Sequence, residues 1–228
     1  MKDLLDHINQ YADLLSQGAV WQDSKEILAP VLGDRMSDKA EDNYIYEFYC
    51  YVCLIVDLRD SYDIRFVEGT GNFKYKFPQA AALKKGKPRF HAFKEDEMAF
   101  QICAGTKISC AYPSENNHPD ISFQRPEASD DPQDSDLIII MDAKFKEGKN
   151  AVLPKDEVYK FAFILSLYNL KSLPGIKIHF KKLHEFYGNC LLTNARSYSA
   201  AGEVKMLQFA NAKEIEKFFP YSIYNVIG

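Results

Sequence analysis

Five consecutive apolar residues, Leu137-Ile138-Ile139-Ile140-Met141, end abruptly in Asp142-Ala143-Lys144. A strand with no polar face is buried on both sides, so this run requires a sheet covered by other elements. The preceding stretch "RPEASDDPQDSD", with two prolines and five acids, reads as a mobile hairpin loop. A charged pair at the end of a core strand needs partners, because burying unpaired charge is costly. Either the strand emerges into water at Asp142, or the pair is the edge of a site.

The rest of the chain supplies cover for such a sheet. Leu4, Leu5, Ile8, Tyr11, Ala12, Leu14 and Leu15 recur at helical spacing, predicting a helix over 1–17 that ends at Gly18. A second helix is predicted from Ser24, its N-cap, to Leu32, with Glu26 in the first turn. From Lys39 to about Leu58 the chain is apolar on nearly every face and lacks Gly and Pro, which marks a helix buried on most sides. Short alternating segments follow, "YDIRFVEG", "NFKYKF", "PRFHAFK", "EMAFQICAGTKI" and "HPDISFQ", and read as antiparallel strands. Pro154 opens a helix to about Leu170, acidic in its first turn. Strands are predicted at 176–183, 186–193 and 204–209, and a last helix over Ala212–Phe219 stops at Pro220. The predicted fold is α/β: a mixed sheet flanked by helices in one domain, 38–228, with residues 1–37 as a helical appendage.

Composition narrows the class. With 228 residues, 46% of them hydrophobic and 14% aromatic, a substantial core is available. A formal net charge of -4 does not advertise a polyanion partner, so any nucleic-acid surface has to be local. The cysteines at 50, 53, 103, 110 and 190 are odd in number and read as reduced thiols of a cytoplasmic protein. Cys50 and Cys53 have the spacing of half a zinc site, but no second pair completes it, so core thiols are the reading. The acidic N-terminus is unlike a signal peptide. No apolar run approaches the roughly 20 residues of a membrane span, and no membrane association is expected.

Three carboxylates and a lysine stand out by position. Asp120 follows Pro119 in one strand, and Asp142 ends the next, 142 − 120 = 22 positions later. Lys144 shares the face of Asp142, because strand side chains alternate. Two carboxylates from adjacent strands suit a hard divalent cation such as Mg2+, which lowers the pKa of water beside it and offsets charge on a phosphodiester. A lysine there can orient the attacking water.

Pro119-Asp120 followed by Asp142-Ala143-Lys144, with "LIIIM" before, "KFK" after and a helix from Pro154, resembles the PD-(D/E)XK nuclease superfamily. The resemblance covers about 44–195 and implies a restriction endonuclease-like fold. "IYEFYCYVCLI" with "HPDISF" and "MDAKFK" is further similar to the nuclease subunits of McrBC-type restriction systems. In that superfamily an acid on the first core helix often joins the metal site, and Glu47 occupies the matching position. The resemblance then implies Asp120, Asp142, Glu47 and the carbonyl of Ala143 as ligands of Mg2+, with Mn2+ a possible substitute, and Lys144 as the residue that positions water. Related nucleases often carry a glutamine on the following helix, where this chain has Lys160, a candidate phosphate contact.

Basic residues cluster at Lys84, Lys85, Lys87, Arg89 and Lys94, at Lys144, Lys146 and Lys149, and at Lys177, Lys181 and Lys182; each is a candidate phosphate-binding surface and equally a solvated face. His118 beside the Pro-Asp dyad could assist at the metal, though a histidine without catalytic role is the favoured reading; His179 and His184 lack a second ligand pair. No Gly-x-Ser-x-Gly elbow, phosphate loop, dinucleotide fingerprint or His-Glu-x-x-His is present. The expected function is that of a Mg2+-dependent DNA endonuclease in restriction or another antiphage defence, acting as a homodimer or within a larger complex. The alternatives are a catalytically silent DNA-binding or assembly module on the same fold, or a nuclease acting on RNA or branched DNA.

Overall fold

The computed structural model describes residues 41–218 apart from 72–82, 112–117, 148–149, 169–177, 182, 184–185, 187 and 198–200. The helices predicted over 1–17 and 24–32, the proposed appendage and the strand "NFKYKF" lie outside the described residues.

The first helix, α1 (Glu41–Leu58), is buried on most sides, as its lack of a polar stripe predicts. Tyr46, Tyr49, Cys50, Cys53, Leu54 and Leu58 are fully buried and share one core with sheet residues and with Ile178, Phe186 and Phe218. Its buried polar groups find partners, as they must. Tyr46 Oη donates to the Phe218 carbonyl at 2.9 Å and Tyr51 Oη to that of Ile102 at 2.9 Å. Asp57 accepts the amides of Lys181 at 2.8 Å and Leu183 at 3.0 Å. Cys50 and Cys53 are core thiols whose pKa values burial pushes up.

Seven strands form one sheet in sequence order: β1 (Asp63–Val67), β2 (Arg89–Lys94), β3 (Glu97–Ala104), β4 (Ile121–Gln124), β5 (Leu137–Lys144), β6 (Asn189–Thr193) and β7 (Ala212–Ile215). Each pair from β1 to β5 is antiparallel, and β5–β6 and β6–β7 are parallel. The sheet is therefore mixed. The parallel joints are crossed by α2 (Lys155–Leu167) and α3 (Ala201–Phe209). In α2 the buried residues Val158, Phe161 and Leu165 lie at helical spacing and pack with Leu137 and Ile140 of β5 and Leu207 of α3. β2 and β3 are joined by Glu95 and Asp96, with φ of 52° and 64°, the left-handed conformation that a two-residue hairpin turn of this hand requires.

Three expectations need correction. Residues 204–209, predicted as a strand, belong to α3, and 212–215, predicted as helix, form β7. Val204 and Met206 imitate alternation, but the buried positions are 203, 207 and 210, a helical period. Asn211, with φ of 51°, ends α3 in the left-handed region, and pairing of Ala212 with Asn189 in the parallel register overrides the helix-forming composition of "AKEIEK". Ile178–Lys181, the described centre of another predicted strand, is irregular. Finally, the polar stretch Arg125–Asp136, expected to be mobile, is tethered: Lys84 Nζ donates to the carbonyls of Ala128 at 3.0 Å and Ser129 at 2.9 Å. Gln101 Nε2 also donates to the carbonyls of Pro126 at 2.8 Å and Ala128 at 3.0 Å.

Candidate active site

β5 is longer than its apolar run suggests, so Asp142 and Lys144 are strand residues, not the start of a loop. Its neighbour β4 is registered with Ile121 opposite Met141; one step further, this antiparallel pairing sets Asp120 across from Asp142. Asp120 stands one residue before β4, not within a strand as predicted, and the carboxylates meet because the pairing of Ile121 to Phe123 with Met141 to Ile139 is regular at this end, the register shifting only at Phe123/Gln124. Both are buried, with 8% and 7% of their surface exposed. Asp120 Oδ2 accepts the amide of Ala143 at 2.7 Å and stands 3.4 Å from Lys144 Nζ. Lys144 Nζ lies 2.7 Å from Asp142 Oδ2.

The neighbouring strand holds this end of β5 in place. Thr193 Oγ1 donates to the carbonyl of Lys144 at 2.8 Å. The Asn194 side chain accepts the Lys146 amide at 2.8 Å and donates to the Lys146 carbonyl at 2.9 Å, so an amide side chain continues the ladder where β6 ends. These two residues escaped the sequence reading. Their only trace is a polar pair, "TN", closing an apolar strand.

Glu47, on the first turns of α1, is near enough for charge but not for contact. Among the described residues no hydrogen bond or ion pair joins it to the cluster; it is coupled to Lys144 and Asp142 through space. Burial raises its carboxyl to about 7, with Asp142 adding to the rise and Lys144 opposing it. Asp142 is likewise raised to about 7, first by burial and then by the Asp120 charge, against the pull of Lys144. Asp120 is raised by burial, with Lys144 opposing. For Lys144 burial acts downward, but Asp120 and Asp142 outweigh it and hold the amine protonated, above its ordinary range. Two carboxylates thus contact one ammonium and a third acts on it through space, and burial plus mutual repulsion make the set favour protons or another cation.

Asp120, Asp142 and Lys144 open onto a cleft of about 280 Å3, also lined by His118, Glu157, Lys160, Phe163 and Ile164. The last four come from one side of α2, at offsets i, i+3, i+6 and i+7. Lys160, singled out from sequence, is therefore at the site, as is His118. Glu157 was read only as an N-terminal helix acid. It lies 3.5 Å from Lys146 Nζ and 3.9 Å from Lys160 Nζ, and its place in the cleft was readable from its helical spacing to Lys160 and Ile164. Glu47 does not line the cleft.

The other basic clusters separate. Lys84 is a buried tether, Arg89 lies 3.8 Å from Asp130, and Lys181 lies 3.2 Å from Asp60, whereas Lys85 and Lys94 are exposed. Lys149, Lys177, Lys182 and His184 lie outside the described residues, and His179 gives its backbone amide to Tyr62 Oη at 3.1 Å. Among the described residues no three His, Cys, Asp or Glu side chains converge as a ready set of metal ligands, and no helix is long and apolar enough to cross a membrane. Comparison with protein-family models, with curated proteins and with solved structures found no match.

Proposed function

We propose that this chain is a divalent-metal-dependent DNA endonuclease on a restriction endonuclease-like fold. The observation that carries the reading is the convergence of buried Asp120 and Asp142 with Lys144 at the mouth of a polar cleft. The donor set fits a hard cation: two carboxylates whose pKa values burial raises, against the pull of Lys144, with the main-chain carbonyl of Ala143 a further oxygen by the resemblance. Asp120 and Asp142 would hold Mg2+, or Mn2+ in its place. When bound, the cation supplies charge neutralisation at the phosphodiester and a lowered pKa for nearby water.

The chain's own groups do the rest. Lys144 has three N–H donors; those turned to Asp142 and Asp120 fix the ammonium, and the remaining one is available to hold water or a phosphoryl oxygen in line. Its positive charge offsets the negative charge that grows on the phosphate in the transition state. Thr193 and Asn194 keep Lys144 at the height of the two carboxylates. Glu47 adds negative charge from α1, acting on Lys144 and Asp142 through space. The Glu157 carboxylate lies between Lys146 and Lys160, and Lys160 on the cleft wall would contact phosphate. A role in restriction or another antiphage defence, a homodimer or larger complex, and a cytoplasmic setting rest on the resemblance to the nuclease superfamily and on the cysteine content.

The test is a cleavage time course on supercoiled plasmid and linear duplex with Mg2+, Mn2+ or chelator. Metal-dependent cutting is expected, lowered by about 10²-fold or more in Asp142→Ala and Lys144→Ala proteins. Cutting that survives both substitutions would remove the centre from "MDAKFK". Folded protein that binds DNA yet cuts neither these duplexes nor single-stranded DNA would make the chain a silent module on this fold.

A further inference from the structure

We infer that the groove between α2 and α3, next to the cleft, is a stacking site for an unpaired base. DNA cut at Asp120 and Asp142 is then single-stranded or locally unpaired beside the scissile phosphate. This names the substrate class of the proposed site and rests on the nuclease reading for its orientation.

Phe163 carries the argument. It is 58% exposed although large and apolar, and it lines both the carboxylate cleft and a second cavity of about 370 Å3. Across that cavity stand Met206 and Phe209 of α3, and Phe209 is 72% exposed. Its rim is anchored by Tyr159, whose hydroxyl donates to Glu203 Oε1 at 2.9 Å while Lys155 Nζ sits 5.2 Å from its ring centroid. A volume of this size is in the range of sites for flat small molecules, roughly 300–1,000 Å3. Exposed aromatic side chains on both walls of one cavity, Phe163 and Phe209, single it out as a contact site.

The chemistry alongside says what the contact is. Lys160, one turn before Phe163 on α2, has 65% of its side chain exposed and faces the carboxylate cleft. A phosphate chain held by Lys144 and Lys160 runs past Phe163, which places the neighbouring base at the groove. Bases in a duplex already have both faces stacked and offer no free face to an aromatic ring, whereas unpaired bases stack on such rings regardless of sequence.

The test uses the full chain in chelator, so that binding is read without catalysis. Fluorescence anisotropy is measured with a short oligothymidylate and with a hairpin duplex, on wild type, Phe163→Ala, Phe209→Ala and Phe163→Tyr. The expected result is weaker binding of the oligothymidylate by about five- to 150-fold in the alanine variants. Duplex binding should change by less than about twofold, since it gains nothing from stacking, and Phe163→Tyr should retain the wild-type affinity. Equal losses on both probes, no loss on either, or a fall in sedimentation from dimer to monomer in Phe163→Ala would overturn it. The two readings fail separately. Selective single-strand binding without metal-dependent cutting removes the nuclease and leaves the base site; duplex cutting at an unchanged rate in Phe163→Ala, without selective binding loss, does the reverse.

Discussion

Two lysines of this chain are withdrawn from water by opposite means. Lys84, 2% exposed, gives its ammonium to two neutral carbonyls of the loop it covers, and burial lowers its pKa. Lys144 gives its ammonium to two carboxylates and is raised despite burial. By sequence both are members of a basic cluster. Only one has partners that outnumber it in charge. Lys84 closes a local account of donors and acceptors and is a tether, whereas the set around Lys144 holds three carboxylates to one cation. A buried group left with excess charge is unfavourable for folding alone, and such imbalance concentrates where a ligand completes the set.

The strongest way to sharpen that contrast is Lys144→Met. It leaves Asp120, Asp142 and Glu47 without a buried counter-charge, so urea denaturation at pH 8 should show a loss of about 3–5 kcal/mol. The loss should shrink at pH 5, where the carboxylates accept protons. A loss equal at both pH values would mean that Lys144 acts through hydrogen bonds that do not titrate, as Lys84 does.

Lys84→Met should cost less, on the order of 1–3 kcal/mol by the same measurement, because Gln101 still bonds the Ala128 carbonyl. The Arg125–Asp136 loop should become the first site of proteolysis, with metal-dependent cleavage preserved. If cleavage fell as steeply as in Lys144→Ala, the two lysines would belong to one functional surface and the contrast would break.

Asp142→Asn gives a subtler effect. A carboxyl raised from 3.8 to about 7 on folding favours the folded state fully below its unfolded pKa, and that advantage is lost as pH rises through about 7. Metal-free wild type should therefore lose about 2–3 kcal/mol relative to the asparagine variant between pH 5 and pH 8. Added Mg2+ should reduce the difference at pH 8. A flat difference across this range would show that Asp142 titrates normally.

Much of the site was legible because strands translate sequence into geometry simply. Alternation alone puts Asp142 and Lys144 on one face, and an antiparallel neighbour starting near Ile121 brings Asp120 opposite. Helical spacing did the same for Lys160. Less was legible where a residue acts through the main chain. Thr193 and Asn194 matter because β6 lies parallel to β5 in one register, and no local pattern encodes that register. The exchange of helix and strand at 201–215 has a similar origin: "VKMLQF" and "AKEI" have weak and contrary local preferences, and packing on α2 and pairing with β6 decide between them.

By itself the sequence determined the covered sheet, since five apolar residues in a row cannot face water, and it determined which charged residues lie at that sheet's end. The tertiary structure decided which of those charges are compensated. Burial and distance set that balance, and both depend on neighbours far apart in the chain: Lys84 met carbonyls across the Arg125–Asp136 loop, and Lys144 met Asp120 and Asp142. It also decided that Phe163, an ordinary apolar residue of a helix by its sequence, stands exposed beside the carboxylates, because α2 turns Val158, Phe161 and Leu165 to the core instead.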